Sequence, residues 1–168
     1  ELYLRKLSKD SKRGIRAKVV ERREHLGFAP YGYRMDRNTR QLEIQPEEAK
    51  WVKYIFQCVI DGLPYLAICQ KLREAGVNTR KGCAWTNTQV KYALTNKTYC
   101  GLLEVTLDGK HGVYEGKHTP IIDRDTFDKV QTIIEERQAK HKKYQRSSYQ
   151  YKHWLSGLMR CPYCGGAL

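Results

Sequence analysis

With 168 residues, the chain is long enough for one ordinary domain or one domain with appendages, and its 40% hydrophobic residues suffice for a folded core. Thirty-one Lys and Arg stand against eighteen Asp and Glu, a formal net charge of +13. Such a surplus repels itself unless a polyanion is the working partner, which places nucleic acid ahead of an acidic membrane surface. No apolar run approaches the roughly 20 residues of a membrane span. The start, Glu1-Leu2-Tyr3-Leu4-Arg5-Lys6, lacks the layout of a secretory signal and reads as the middle of a helix, so the chain is expected to be a piece of a longer protein.

In chain order, residues 1–25 read as a basic helix. Leu4, Leu7, Ile15, Val19 and Leu26 form a loose apolar stripe, and Lys9, Lys12, Arg13, Arg16, Lys18, Arg22 and Arg23 crowd the rest. Gly14 weakens the middle by roughly 1 kcal/mol relative to Ala. Asp10, Glu21 and Glu24 are too few for a balanced salt-bridge lattice, which favours a polyanion-facing helix over a merely solvated one. Gly27 suits the helix stop, and Pro30 forbids continuation.

Two short strands follow, Tyr33-Arg34-Met35 and Leu42-Glu43-Ile44, around the turn residues Asp36-Arg37-Asn38-Thr39. Pro46 near the first helical position and Glu47 open a helix to about Asp61, with Trp51, Val52, Ile55, Phe56 and Val59 as its apolar stripe. Gly62 ends it. A second helix spans about 64–75, with Leu66, Ile68 or Cys69, and Leu72 inward and Gly76 as its stop. After the polar loop 78–82, Thr86 caps a third helix whose buried side is Val90, Ala93 and Leu94. Residues 99–107 read as a strand, Asp108-Gly109 as a hairpin turn, and 110–117 as the returning strand. Pro120-Ile121-Ile122 leads into a helix over about 124–140, with Phe127, Val130, Ile133 and Ile134 inside. Residues 137–153, acid-free and rich in Lys, Arg and Tyr, read as a linker or a nucleic-acid-hugging arm.

Helix, helix, turn, helix and β-hairpin is the order of a winged helix-turn-helix, although the 76–85 loop is longer than a tight turn. In such motifs the start of the last helix enters the major groove. Here that start carries Thr86, Asn87, Thr88, Gln89, Lys91 and Tyr92. Asn and Gln can pair bidentately with adenine, and Thr can pack on a thymine methyl. Lys110 and Lys117 could clamp phosphates from the hairpin. The bland alternative is a helical core with a polar outer face; the +13 charge favours DNA reading.

Cys161-Pro-Tyr-Cys164-Gly-Gly is half of a zinc site. Its two thiolates supply half of a tetrahedral shell. His153 is a weak third ligand, and partner cysteines are expected beyond this chain. Cys58, Cys69, Cys83 and Cys100 sit singly among apolar neighbours and read as core thiols in a reducing compartment. No Gly-rich phosphate loop, GxSxG, HExxH or acidic magnesium cluster occurs, so no catalytic residue is assigned.

These pieces, in order, resemble the C-terminal part of large serine recombinases of the phage-integrase and transposon-resolvase type. The matching residues are Pro30-Tyr31-Gly32-Tyr33-Arg34, Glu48-Ala49 to Ile55-Phe56, Ile68 to Leu72 with Gly76-Val77-Asn78-Thr79, and Trp85-Thr86 to Val90. They continue with Leu94 to Gly101, His118-Thr119-Pro120-Ile121-Ile122, and Leu155-Ser156-Gly157-Leu158 before the Cys pair. The usual Asn-Pro before Tyr-x-Gly is replaced by Asn96-Lys97-Thr98, a change confined to a loop.

The resemblance implies an α+β protein: a helix-turn-helix-like core with small hairpins, preceded by a basic helix and followed by a partial zinc ribbon. Its implied parts are the end of a long helix from a catalytic domain at 1–26, a recombinase domain at 27–140, a basic linker at 141–153 and the start of a zinc ribbon at 154–168. The family's serine and activating arginines lie in a catalytic domain with no counterpart among these residues. The implied partners are double-stranded DNA, whose attachment-site half-site this piece would recognise, and other recombinase subunits. No membrane, small-molecule substrate or cofactor other than zinc is expected, and the setting is a bacterial or phage-encoded cytoplasmic, nucleoid-associated protein. The expected DNA contacts are Arg13, Arg16, Lys18, Arg22, Arg23, Tyr31, Tyr33, Arg34, Thr86, Asn87, Thr88, Gln89, Lys91, Tyr92, Lys97 and Lys110, with Cys161 and Cys164 as metal ligands. The alternatives are a stand-alone winged-helix transcription regulator, a basic RNA-binding protein and a protein-interaction module.

Overall fold

The computed structural model describes residues 2–107 and 110–144, together with Arg160 and Pro162. The chain divides into two compact units, Glu1–Ile133 and Ile134–Leu168.

In the first unit, α1 (Leu2–Arg16) runs into a π-helical turn, Ala17–Glu21. The amide of Arg22 reaches back to the carbonyl of Ala17, and that of Glu24 to Lys18. The helical turns therefore end at Glu21, and Arg23 takes φ +56°, four residues before the glycine expected to end the helix. The wide turn presents Val19, 1% exposed, to Leu103 and Val105, with Ile15, Leu26 and Tyr114 around them. The front of the expected stripe is not covered: Leu4 and Leu7 are exposed.

Strands β1 (Tyr33–Met35) and β2 (Leu42–Ile44) pair antiparallel where expected. Their turn is built by Asp36, whose carboxylate accepts from the amides of Asn38 and Thr39 and from the Thr39 hydroxyl. Helices α2 (Pro46–Ile60), α3 (Tyr65–Glu74) and α4 (Asn87–Thr95) form the core with Val52, Ile55, Phe56, Ile68, Leu72, Val90 and Leu94, each at most 1% exposed. Leu66, expected inside, is 60% exposed, because Ile68, Cys69 and Leu72 already fill the inward face of a short helix.

The 78–84 loop is organised by a bridge between Asn78 and Ala84 and by the Thr79 hydroxyl and amide, both donated to the carbonyl of Cys83. That turn leaves Cys83 exposed, unlike the buried Cys58, Cys69 and Cys100, and so corrects its reading as a core thiol.

After α4, residues 97–100 form a 3-10 turn rather than the start of a strand. Asn96 caps that turn, and Gly101, with φ +83°, releases it into β3 (Leu102–Leu107). Strand β4 (Lys110–Glu115) returns with Leu107 opposite Lys110. The Asp108-Gly109 turn between them lies outside the described residues. Helix α5 (Arg124–Tyr144) starts on Asp123, whose carboxylate accepts from the Thr126 amide and hydroxyl, and its Phe127 packs on Phe56 at 6.1 Å. The α+β class and the helix–helix–helix–hairpin order are as expected.

In the second unit the described structure is the remainder of α5 to Tyr144, which runs past the expected linker boundary at 140, with Arg160 and Pro162. Cys161 and Cys164 lie outside the described residues.

Candidate nucleic-acid interface

Three places in the first unit collect the chemistry read from sequence. The first is an open groove of about 930 Å³ between α1 and the β3–β4 hairpin. Lys9, Lys12, Arg13 and Arg16 line one wall, and Lys110 and His111 the other, with no carboxylate among the lining residues. Helical spacing places these cations on successive turns of one face. The π turn then presents Val19 to β3, which seats the helix against the hairpin. Arg13, Arg16 and Lys110 were expected contacts. Lys9 and Lys12 were read only as part of a basic face, and His111 was missed, because nothing local says that a hairpin about a hundred residues later faces this helix.

The second place is the start of α4. Thr86 Oγ1 accepts from the Gln89 amide, while the Thr86 amide donates to Gln89 Oε1 at 2.9 Å, a complete capping box. Gln89 thus spends its carbonyl oxygen on the helix end, and only its amide nitrogen is left to read a base. Asn87 Oδ1 accepts from the Cys69 thiol at 3.4 Å. Thr86, Asn87, Thr88, Gln89, Lys91 and Tyr92 are all exposed, Tyr92 at 69%. A shallow, largely apolar groove of about 420 Å³ flanks them, walled by Tyr31, Trp85, Thr88, Gln89 and Tyr92.

The third place is the 29–33 segment, which holds two of the expected contacts, Tyr31 and Tyr33. Its peptide groups are pinned to the core almost without a gap. Arg80 Nη1 donates to the Ala29 carbonyl at 2.9 Å, and Arg80 Nη2 to the Tyr33 carbonyl. The Tyr99 hydroxyl donates to the Tyr31 carbonyl at 2.7 Å, and the Gly32 amide donates to Glu48 Oε2, also at 2.7 Å. Arg80 and Glu48 join each other through Nη2 at 2.5 Å. Gly32 is required here: φ is +93°, and a Cβ would sit 3.0 Å from both Ile121 and Val52.

Tyr33 is 0% exposed. Its hydroxyl donates to the Thr119 carbonyl and accepts from the Ile121 amide, and burial pushes its ionisation far up. It has no surface to offer a ligand, so its assignment as a contact is corrected to a core residue. Tyr31 is half-buried edge-on against Trp85 at 5.0 Å. Arg34 is exposed but bonded across the hairpin to Glu43 at 3.0 Å, and Lys97 is half-buried against Glu104 at 3.1 Å. Arg22 and Arg23 are exposed, and Lys18 is half-buried.

Beside this segment stand two histidines held neutral. Burial is the largest cause lowering both His25 and His118, and each ring bonds a carbonyl, His25 that of Phe28 and His118 that of Thr98. Among the described residues no group of three or more His, Cys, Asp or Glu is placed to hold a metal ion, and no helix is long and apolar enough to cross a membrane.

The chain resembles known proteins in this region. The sequence profile of the Recombinase family matches residues 46–137. A Bacillus subtilis (strain 168) protein named "Putative DNA recombinase" is 27% identical over 164 residues, covering 82% of this chain and 32% of that protein. The crystal structure of an LSR–DNA complex superposes with a TM-score of 0.58 at 27% identity, over 72% of this chain and 36% of that one. A structure from work on the sequence requirements of the Listeria innocua prophage attP site superposes with a TM-score of 0.60 at 25% identity, over 90% of this chain and 61% of that one. The chain therefore spans about a third of the curated relative and less than two thirds of either solved chain. The profile covers more than half of the 168 residues, with α2, α3, α4 and the hairpin inside it, and this chain belongs to the Recombinase family, of the large serine recombinase type.

Proposed function

We propose that this chain is the part of a serine site-specific recombinase that binds double-stranded DNA at an attachment-site half-site. The observation that carries the reading is the groove between α1 and the hairpin, where Lys9, Arg13 and Arg16 of one helix face Lys110 across an open cleft. Cations held on two walls suit the two edges of a phosphate backbone, which supplies affinity without sequence information. The exposed start of α4, with Asn87 and Thr88 free of the cap, supplies the base reading. The family membership and the recombinase–DNA complex among the similar structures support the same assignment.

In the intact protein, strand cleavage belongs to residues outside this chain, and other recombinase subunits are its partners. Cys161 and Cys164 contribute half of a zinc shell, and the protein works on DNA in the bacterial cytoplasm. Fluorescence anisotropy of the chain on random-sequence duplex, titrated across salt with single-stranded RNA as competitor, tests the reading. A steep loss of duplex binding with salt, unmatched by RNA competition, is the expected result. No duplex binding at low salt overturns it.

A further inference from the structure

We propose that Phe28 is a wedge that enters a base step of the bound duplex. The inference rests on the DNA-binding reading and deepens it. Phe28 is 99% exposed, the most exposed of the large apolar side chains described. Yet the backbone beneath it is held on both sides. Its own carbonyl bonds His25 Nε2 at 3.1 Å, the Ala29 carbonyl takes Arg80 Nη1 at 2.9 Å, and the residues after it are fixed through Tyr99 and Glu48. An aromatic ring raised on a fixed backbone loses little freedom when it is covered, so most of its apolar area is available to a partner.

The surroundings indicate which partner. Arg22 and Arg23, both exposed, precede the ring in the chain. Phe28 borders a groove of about 550 Å³ together with Tyr92 and Lys97. The one carboxylate on that groove, Glu104, is bonded to Lys97. The groove is lined by Leu26, Pro30 and Leu103 as well, and the exposed cations that precede the ring in the chain, Arg22 and Arg23, favour a polyanion over a protein partner. An apolar side chain flanked by cations is the chemistry that unstacks neighbouring bases while the flanking charges hold the phosphates.

The test uses a duplex selected by the whole 168-residue chain from a random-sequence pool. Fluorescent base analogues, 2-aminopurine for adenine and pyrrolocytosine for cytosine, are placed along it one at a time. The expected result is a several-fold rise in emission at one step on binding. Phe28→Ala removes the rise and weakens binding roughly tenfold, the order of one aromatic–base stack. Phe28→Leu retains part of both. The urea midpoint of Phe28→Ala stays at the wild-type value, because the ring is in solvent. A rise that persists in Phe28→Ala, or wild-type binding with no rise at any position, overturns the wedge and leaves the interface standing. No duplex binding by the wild type overturns both.

Discussion

The groove between α1 and the hairpin and the pinned segment 29–33 use the same residue types in opposite ways. In the groove, Arg13 and Arg16 are exposed, and no carboxylate shares the lining. At the segment, Arg80 is consumed by the fold: it bonds Glu48 and two backbone carbonyls that lie 51 and 47 residues away in sequence. A cation is available to an outside anion only where the protein has not already answered it. The groove thus carries sequence-independent attraction, and the pinned segment sets the relative placement of β1, α2 and the loop before α4.

The largest effects are expected at the pinned segment. Glu48→Ala takes the carboxylate from Arg80 and the acceptor from the Gly32 amide, and should cost about 2–3 kcal/mol in urea unfolding, discounted for Arg80 being partly exposed and still bonded to two carbonyls. A loss below about 0.5 kcal/mol, the range of an ordinary surface change, would erase the distinction between the regions. Next, α4 should divide its own residues. Asn87→Ala should relax specificity at one or two base pairs by roughly 1–3 kcal/mol, with only a small stability loss from the released Cys69 thiol. Gln89→Ala should instead lower stability by about 0.5–1 kcal/mol through the lost capping box. Selection from random duplexes with each variant checks the first, and thermal unfolding the second.

In the groove, Arg13→Ala or Arg16→Ala should leave the unfolding midpoint in place. Each should weaken all duplexes alike and reduce the slope of log affinity against log salt by about 1. Loss confined to one sequence would place those arginines in base readout.

The smallest effect concerns pH. His25 and His118 are lowered in the folded protein, so the unfolded chain takes up their protons first. Their contribution is therefore complete above the ordinary histidine value of 6.5 and is lost as pH falls from there through the lowered values. Urea midpoints should decline on acidifying below about 6.5, and His118→Gln should flatten part of that decline. A midpoint that rises over the same interval would mean that the rings gain charge partners on folding.

Features written in short-range chemistry were legible. The β1 and β2 boundaries, Pro46 opening α2, the Thr86 cap and the buried positions Val90, Ala93 and Leu94 all follow from residues within a few positions of one another. A turn, a cap and an apolar period each have a local cause. The same locality misled where two local signals competed. Gly27 is a good helix stop, but the π turn that presents Val19 to the hairpin ends the helix earlier. The Tyr99 region has strand-forming residues, but Asn96 and Gly101 make it a 3-10 turn.

The sequence by itself determined the charge, the helix–helix–helix–hairpin order and the family, because each depends on composition or on motifs in fixed succession. Tertiary structure alone decided which charges and rings are usable. It sank Tyr33 into the core under Thr119 and Ile121, took Arg80 for Glu48, placed Lys110 opposite Arg13 and Arg16, and left Phe28 in solvent. Those outcomes depend on which distant backbone and side-chain groups meet, and residues some fifty to a hundred positions apart leave no periodic mark of that meeting in the chain.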